Sequence, residues 1–279
     1  MRHDLLIDTS GADWSHFHHQ SAARTGDVRI YAIGDIHGYI DQLRAMQEAI
    51  AADLERHPVE RSLVVYLGDY IDRGPDARAV LDAIIAHRAA SAPHARVICL
   101  TGNHEAWLNQ FLTDAGVLPL WARKGGLETL ASYDFPPERV LQAMADPAAA
   151  EALRRDFLQR LPETHRQLLA SLEFSHVEGD YFFVHGGIDP DRPLADQDRH
   201  DLIWIRDKFL FSLADFGKVV VHGHTPSPEV ESLPNRINVD TGIYATRMLS
   251  CVILEGAQRH LIAVKGRTMR PAVLTGASQ

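Results

Sequence analysis

The sequence predicts an α/β fold with a helical insertion, and three observations carry that expectation. Short β-branched and aromatic runs alternate with helical patterns through the first third of the chain. A stretch rich in Ala, Leu, Gln and Arg then interrupts the strands. After it, short strands bounded by turn signals return and continue to the end.

"VRIYAIG" (28–34) reads as a first strand, and the apolar spacing from Ile40 to Arg56 fits an amphipathic helix. "SLVVYLGD" (62–69) is a second strand, "DARAVLDAIIAHRAA" (76–90) a second helix with Asp76 near its start, and "ARVICLTGN" (95–103) a third strand. Strand–helix–strand alternation predicts right-handed crossovers and a parallel sheet. From Glu105 to about Leu172, prolines punctuate helical patterns; this is expected to be an insertion within one domain of about residues 27–270, because strands resume afterwards. A leader (1–26) and a tail (271–279) flank that domain. Later come "LEFSHVEGDYFFVHGG", "KVVVHGHT", "RINVDTG" and "LSCVILEGAQRHLIAVKG", with the "EGD" and "EGAQ" turns predicting antiparallel hairpins.

Composition narrows the function classes. At 279 residues the chain can bury a substantial core. Its 37 acidic residues outnumber 28 basic ones, so a binder relying on neutralising nucleic-acid phosphates is disfavoured, although a local basic pocket for a single phosphate is not. Cys99 and Cys251 lie inside apolar runs and are expected to pack as buried thiols in neighbouring strands. The N-terminal stretch has no apolar core of signal-peptide length and no run is long enough to span a membrane, so a reducing, cytoplasmic setting is expected. The cluster His16, His18 and His19 reads as part of a solvated leader. Neither a GxxxxGK[ST] nor a GxGxxG loop is present.

The informative pattern lies at the strand ends. "GDIHG" places Asp35 and His37 after the first strand, and "GDYIDRG" places Asp69, Asp72 and Arg73 after the second. "GNHE" brings Asn103, His104 and Glu105, "HGG" brings His185, and "HGHT" brings His222 and His224. One such ending is an ordinary turn. Five, nearly all beside glycine, are hard to assign to packing, since buried charges and imidazoles are costly unless paired or coordinated. Parallel strands gather their carboxyl ends along one rim, and glycine lets backbone approach a ligand closely. Oxygen and imidazole donors without sulfur suit manganese, iron or zinc. There are too many for one ion, and a carboxylate such as Asp69 can bridge two, forming a clamp for displacement at phosphorus.

With these motifs, in this order from Gly34 to Thr225, the chain resembles the phosphoprotein phosphatase family of calcineurin-like metallophosphoesterases, in particular its compact bacterial and bacteriophage members. The resemblance implies a sandwich of two mixed β-sheets flanked by helices. It implies a first metal on Asp35 and His37, a bridge at Asp69, and a second metal on Asn103, His185 and His224, with His222 competing for the last position. It further implies that His104 is a general acid oriented by Asp72, that Arg73 holds phosphate together with Asn103, and that Arg206, two places after Trp204, is a second phosphate-binding arginine. Glu105 is expected to cap or pair at the start of the next helix, and "LWARKGG" (120–126) reads as a glycine turn after a helix.

The function expected is hydrolysis of phosphoric monoesters, foremost of phosphoserine or phosphothreonine in a protein or peptide. A hydroxide held by two divalent metals, manganese foremost with iron or zinc as alternatives, would attack phosphorus. A symmetrical dinucleoside tetraphosphate hydrolase or a small-phosphoester hydrolase is the alternative. Symmetrical cleavers typically carry alanine at the Asp72 position and aspartate at the Glu105 position, and neither substitution occurs here. A scaffold that has lost catalysis would be expected to lack some of these residues, whereas every motif position is filled.

Overall fold

A computed structural model describes residues 6–8, 23–91 and 94–266. The histidines at 16–19 and the tail 271–279 lie outside these residues. The first strand, β1 (Leu6–Asp8), falls in the expected leader and pairs antiparallel with β11 (Gln258–Lys265). The alternation expected next is present as β2 (Arg29–Ile33), α1 (Ile40–Arg56), β3 (Ser62–Tyr66), α2 (Ala77–Ala90) and β4 (Ala95–Cys99). β2, β3 and β4 are parallel, and the first sheet has the order β1-β11-β10-β2-β3-β4, with β10 (Met248–Glu255) forming a hairpin with β11.

The second sheet has the order β5-β6-β7-β9-β8. Its hairpin β5 (Ser175–Glu178) and β6 (Tyr181–Val184) turns at "EGD", and β7 (Val219–His222) and β9 (Arg236–Asn238) continue it in parallel; β8 (Glu231–Ser232) is its edge. Alternation of side chains along each strand decides what faces what. Ile30, Ala32, Leu63 and Val65 of the first sheet pack with Tyr181, Phe183, Val219, Val221 and Ile237 of the second. The opposite faces take helices: Tyr31, Ile33, Val64 and Tyr66 meet α1 and α2, while Phe182, Val184 and Val220 meet Leu202 and Phe209. The architecture is a sandwich of two mixed sheets flanked by helices.

Between β4 and β5 lie six α-helices, from α3 (Asn103–Thr113) through α4 (Leu118–Trp121), α5 (Leu127–Ser132), α6 (Pro137–Ala145) and α7 (Pro147–Arg160) to α8 (Glu163–Ala170). Phe111, Trp121, Tyr133 and Phe157 bury their rings in the same apolar cluster as α1 and α2. Both cysteines are buried and free, but their strands are not neighbours: β2 and β3 intervene between β10 and β4. Burial pushes the Cys99 thiol up to about 12. No described helix is long and apolar enough to cross a membrane.

Candidate active site

The expected rim exists, but two sheets share it rather than one. Asp35 and His37 follow β2, Asp69 follows β3 and Asn103 opens α3 after β4; His185 follows β6 and His224 follows β7 of the facing sheet. The chain meets this rim in unusual backbone. Among the described residues seven non-glycine positions have positive φ, and five are His37, Asp69, Asp72, Arg73 and His224. Each such residue costs on the order of 1–3 kcal/mol, and such strain concentrates where geometry serves a ligand. Close approach also needs Gly102, where a Cβ would lie 2.1 Å from Asp69 Oδ1.

Two groups of ligand-type side chains meet at Asp69. His37, Asp69 and His104 form one and Asp69, His185 and His224 the other, with the ligand atoms of each within 4.8 Å of one another and every residue buried. Asp69 Oδ1 lies 3.3 Å from His185 Nε2, and Asp69 Oδ2 lies 3.7 Å from His37 Nε2 and 3.8 Å from His104 Nε2. The Nδ1 atoms of His37 and His185 face the carbonyl oxygens of Ile71 and Leu67, both at 2.9 Å, which turns each Nε2 toward the centre. Asn103 Oδ1 is 3.1 Å from His185 Nε2.

Asp35 lies at the same rim, on the side of the second group. Its two carboxylate oxygens accept from the His224 N–H, both at 3.2 Å, and His104 takes the third place in the first group. Burial, then the Asp240 and Asp69 carboxylates, hold Asp35 well above the usual carboxylate range. Burial also opposes ionisation of Asp69, but His185, His104 and His37 hold it well below that range. Burial and the neighbouring His185 push His224 down to about 2, and burial with His104 lowers His37. Both are thus neutral, the state in which an imidazole nitrogen can coordinate a cation. His224 Nε2 is buried without a hydrogen-bond partner. Buried carboxylates pressed together, neutral imidazoles and an orphaned nitrogen aimed at them fit a divalent cation pair.

His222 is apart from both groups. Its Nδ1 faces the Gly223 carbonyl at 3.0 Å, its ring packs on Phe209, and burial pushes it down to about 3. Glu105 caps α3: its carboxylate accepts from the N–H groups of Gly102, Asp69 and Tyr70 at 2.8–2.9 Å. Arg206 is exposed at the rim and donates to Thr225 Oγ1 at 3.1 Å, beside His224. Arg73 reaches the centre, its two terminal nitrogens 3.1 Å from His37 Nε2 and 3.2 Å from His104 Nε2.

His104 Nδ1 lies 2.6 Å from Asp72 Oδ2. Asp72 also accepts from Trp121 Nε1 at 2.9 Å and from Thr129 Oγ1 at 2.6 Å. Burial works against a protonated His104, but Asp69 and Asp72 raise its pKa above the ordinary imidazole value. Trp121 and Thr129 belong to the insertion, and sequence reading missed both. It also missed Tyr244, whose ring lies 4.3 Å from the Arg73 guanidinium, and buried Asp240 beside Asp35. "NVDTG" had a weaker form of the signal for Asp240, since an aspartate follows a short strand with a glycine two places on.

Comparison with known proteins bears on the family and the fold. The family model described as calcineurin-like phosphoesterase matches residues 28–251. The asymmetrical bis(5'-nucleosyl)-tetraphosphatase of Geobacillus thermodenitrificans is 28% identical, over 77% of this chain and 86% of that one. The symmetrical bis(5'-nucleosyl)-tetraphosphatase of Dechloromonas aromatica is 30% identical, over 57% of this chain and 44% of that one. A crystal structure provisionally assigned as a diadenosine tetraphosphatase superposes with a TM-score of 0.57 at 19% identity, covering 88% of this chain and 99% of that chain; at this identity the likeness concerns the fold.

Proposed function

The chain belongs to the calcineurin-like phosphoesterase family, and from that premise we propose that it hydrolyses the phosphoric anhydride of dinucleoside tetraphosphates at a dinuclear divalent-metal centre. The observation that carries the chemistry is the sharing of Asp69 by two buried ligand groups, with Arg73 reaching the imidazoles of the first. What supports the substrate is the naming of relatives, foremost one that this chain matches over most of both lengths. The residues at positions 72 and 105 argue against the symmetrical cleavers alone, so they leave an asymmetrical cleaver open.

Asp35, His37, Asp69, Asn103, His185 and His224 would hold the metals. A bound pair would supply positive charge at the phosphoryl oxygens and a more acidic water as nucleophile. Arg73 is placed to donate from its fork to two oxygens of the transferred phosphoryl group. His104, with Nδ1 committed to Asp72, offers a proton from Nε2 to the departing oxygen. Burial of these groups strengthens each charge interaction.

Hydrolysis of phosphoserine or phosphothreonine is the second reading, and the His104–Asp72 pair is what favours it. An alkoxide leaves poorly without a proton, whereas a nucleotide phosphate leaves readily, so a built acid matters most for a monoester. Turnover of diadenosine tetraphosphate and of a phosphopeptide, measured side by side with manganese, tests the proposal. Faster tetraphosphate cleavage to ATP and AMP, or to two ADP, supports it and tells which bond breaks. Faster phosphopeptide turnover overturns it in favour of the second reading.

A further inference from the structure

We propose that the groove beside Arg73 is a subsite for the phosphates of a polyphosphate chain that lie beyond the one being cleaved; this deepens the anhydride reading above. The groove is lined by Tyr39, Arg73, Arg123, Lys124, Glu128 and Tyr244, with a volume of about 500 Å³. That is within the ~300–1,000 Å³ typical of small-molecule sites. Arg73 belongs to both places, since its guanidinium contacts His37 and His104 on one side and lines the groove on the other. A phosphate chain leaving the centre past Arg73 enters this groove first.

Its cations are held in register with the centre. Arg123 and Lys124 are exposed on the segment Ala122–Gly126, where the chain kinks at Gly125 (φ +114) between α4 and α5. Gly125 within it accepts from the Arg73 N–H at 3.2 Å, and Trp121 and Thr129 on either side both bond to the Asp72 carboxylate. A bare glycine turn after a helix needs none of these ties. Three cations therefore face one carboxylate, Glu128, in a protein of net charge −9. A monoester uses only the cation at the phosphorus being attacked. Two more have a ligand where further phosphates follow it, each binding as a charge-assisted acceptor.

The test measures competitive inhibition of nitrophenyl phosphate hydrolysis by phosphate, pyrophosphate and tripolyphosphate, at a fixed free manganese concentration. In the native protein the inhibition constant should fall on the order of tenfold or more from phosphate to tripolyphosphate. Joint Arg123→Ala and Lys124→Ala should remove most of that gain, and Lys124→Arg should keep it. No gain with chain length in the native protein, or a gain that survives the double substitution, overturns the proposal. So does a double variant that loses acidic phosphopeptide turnover more than tripolyphosphate binding, which would make the groove a peptide site. Should nitrophenyl phosphate not be turned over, calorimetric titration of the manganese-loaded protein with tripolyphosphate reads the same difference. Failure to cleave dinucleoside tetraphosphate sinks the proposed function while leaving this comparison intact.

Discussion

His104 Nδ1 and Asp72 Oδ2 are 2.6 Å apart, and neither is exposed to solvent. The contact commits Nδ1 as donor and leaves Nε2 as the nitrogen that can serve a substrate. Asp72→Asn preserves the shape but removes the charge that favours the imidazolium. It is expected to lower kcat/KM by about 10²–10⁴ on phosphoserine and by much less on nitrophenyl phosphate, whose leaving group needs no proton. Equal losses on both substrates would contradict an acid role.

Gly125 has φ +114, and a Cβ there would lie 2.5 Å from the Arg73 nitrogen. Gly125→Ala should therefore displace the turn or the Arg73 backbone. The expected cost is about 1–3 kcal/mol in stability, read by denaturant unfolding, with a raised KM. A variant with native stability and KM would show that the contact is incidental.

Tyr244 lies under the Arg73 guanidinium at 4.3 Å and packs its edge on His37 at 5.7 Å. It is a positioning residue for the phosphate-binding cation. Tyr244→Ala is expected to raise KM by roughly 2–30-fold, matching ~0.5–2 kcal/mol of cation–π attraction, with a smaller effect on kcat. Tyr244→Phe keeps the ring face and should restore the native KM. A phenylalanine variant as impaired as the alanine variant would assign the effect to the hydroxyl instead.

Asp35 shares buried space with Asp69 and Asp240, an arrangement costly without a cation. Asp35→Asn should raise the stability of the metal-free protein and shrink the upward shift in Tm on adding manganese, because the linkage between binding and folding weakens. Thermal unfolding with and without chelator measures both. A destabilised metal-free variant would contradict the repulsion.

What the sequence shows clearly here is what repeats. The helix Ile40–Arg56 has a periodic apolar face over many residues and falls at its expected ends. Asp35, Asp69, Asn103 and His185 each close an apolar run beside glycine, and the pattern brings them to one rim. What it hides is long-range or brief. β1 has three residues, too few for a period, and its pairing with β11 joins opposite ends of the chain. The split of the rim between two sheets depends on which strands pair, which local pattern does not encode; the same gap misplaced the two cysteines as strand neighbours. Trp121 and Thr129 meet Asp72 across an interrupted helix, so no spacing rule links them. That His104 stands beside His37 and Asp69, and Asp35 beside the His224 N–H, follows from side-chain reach, which motif order does not encode.

The count of metal ions per chain tests the central claim most directly. Elemental analysis after loading with manganese and removing the excess is expected to find two ions per chain in the native protein and a marked loss in Asp69→Ala, which deletes the carboxylate both groups share. One ion or none in the native protein, or full loading without Asp69, would contradict a paired-cation centre.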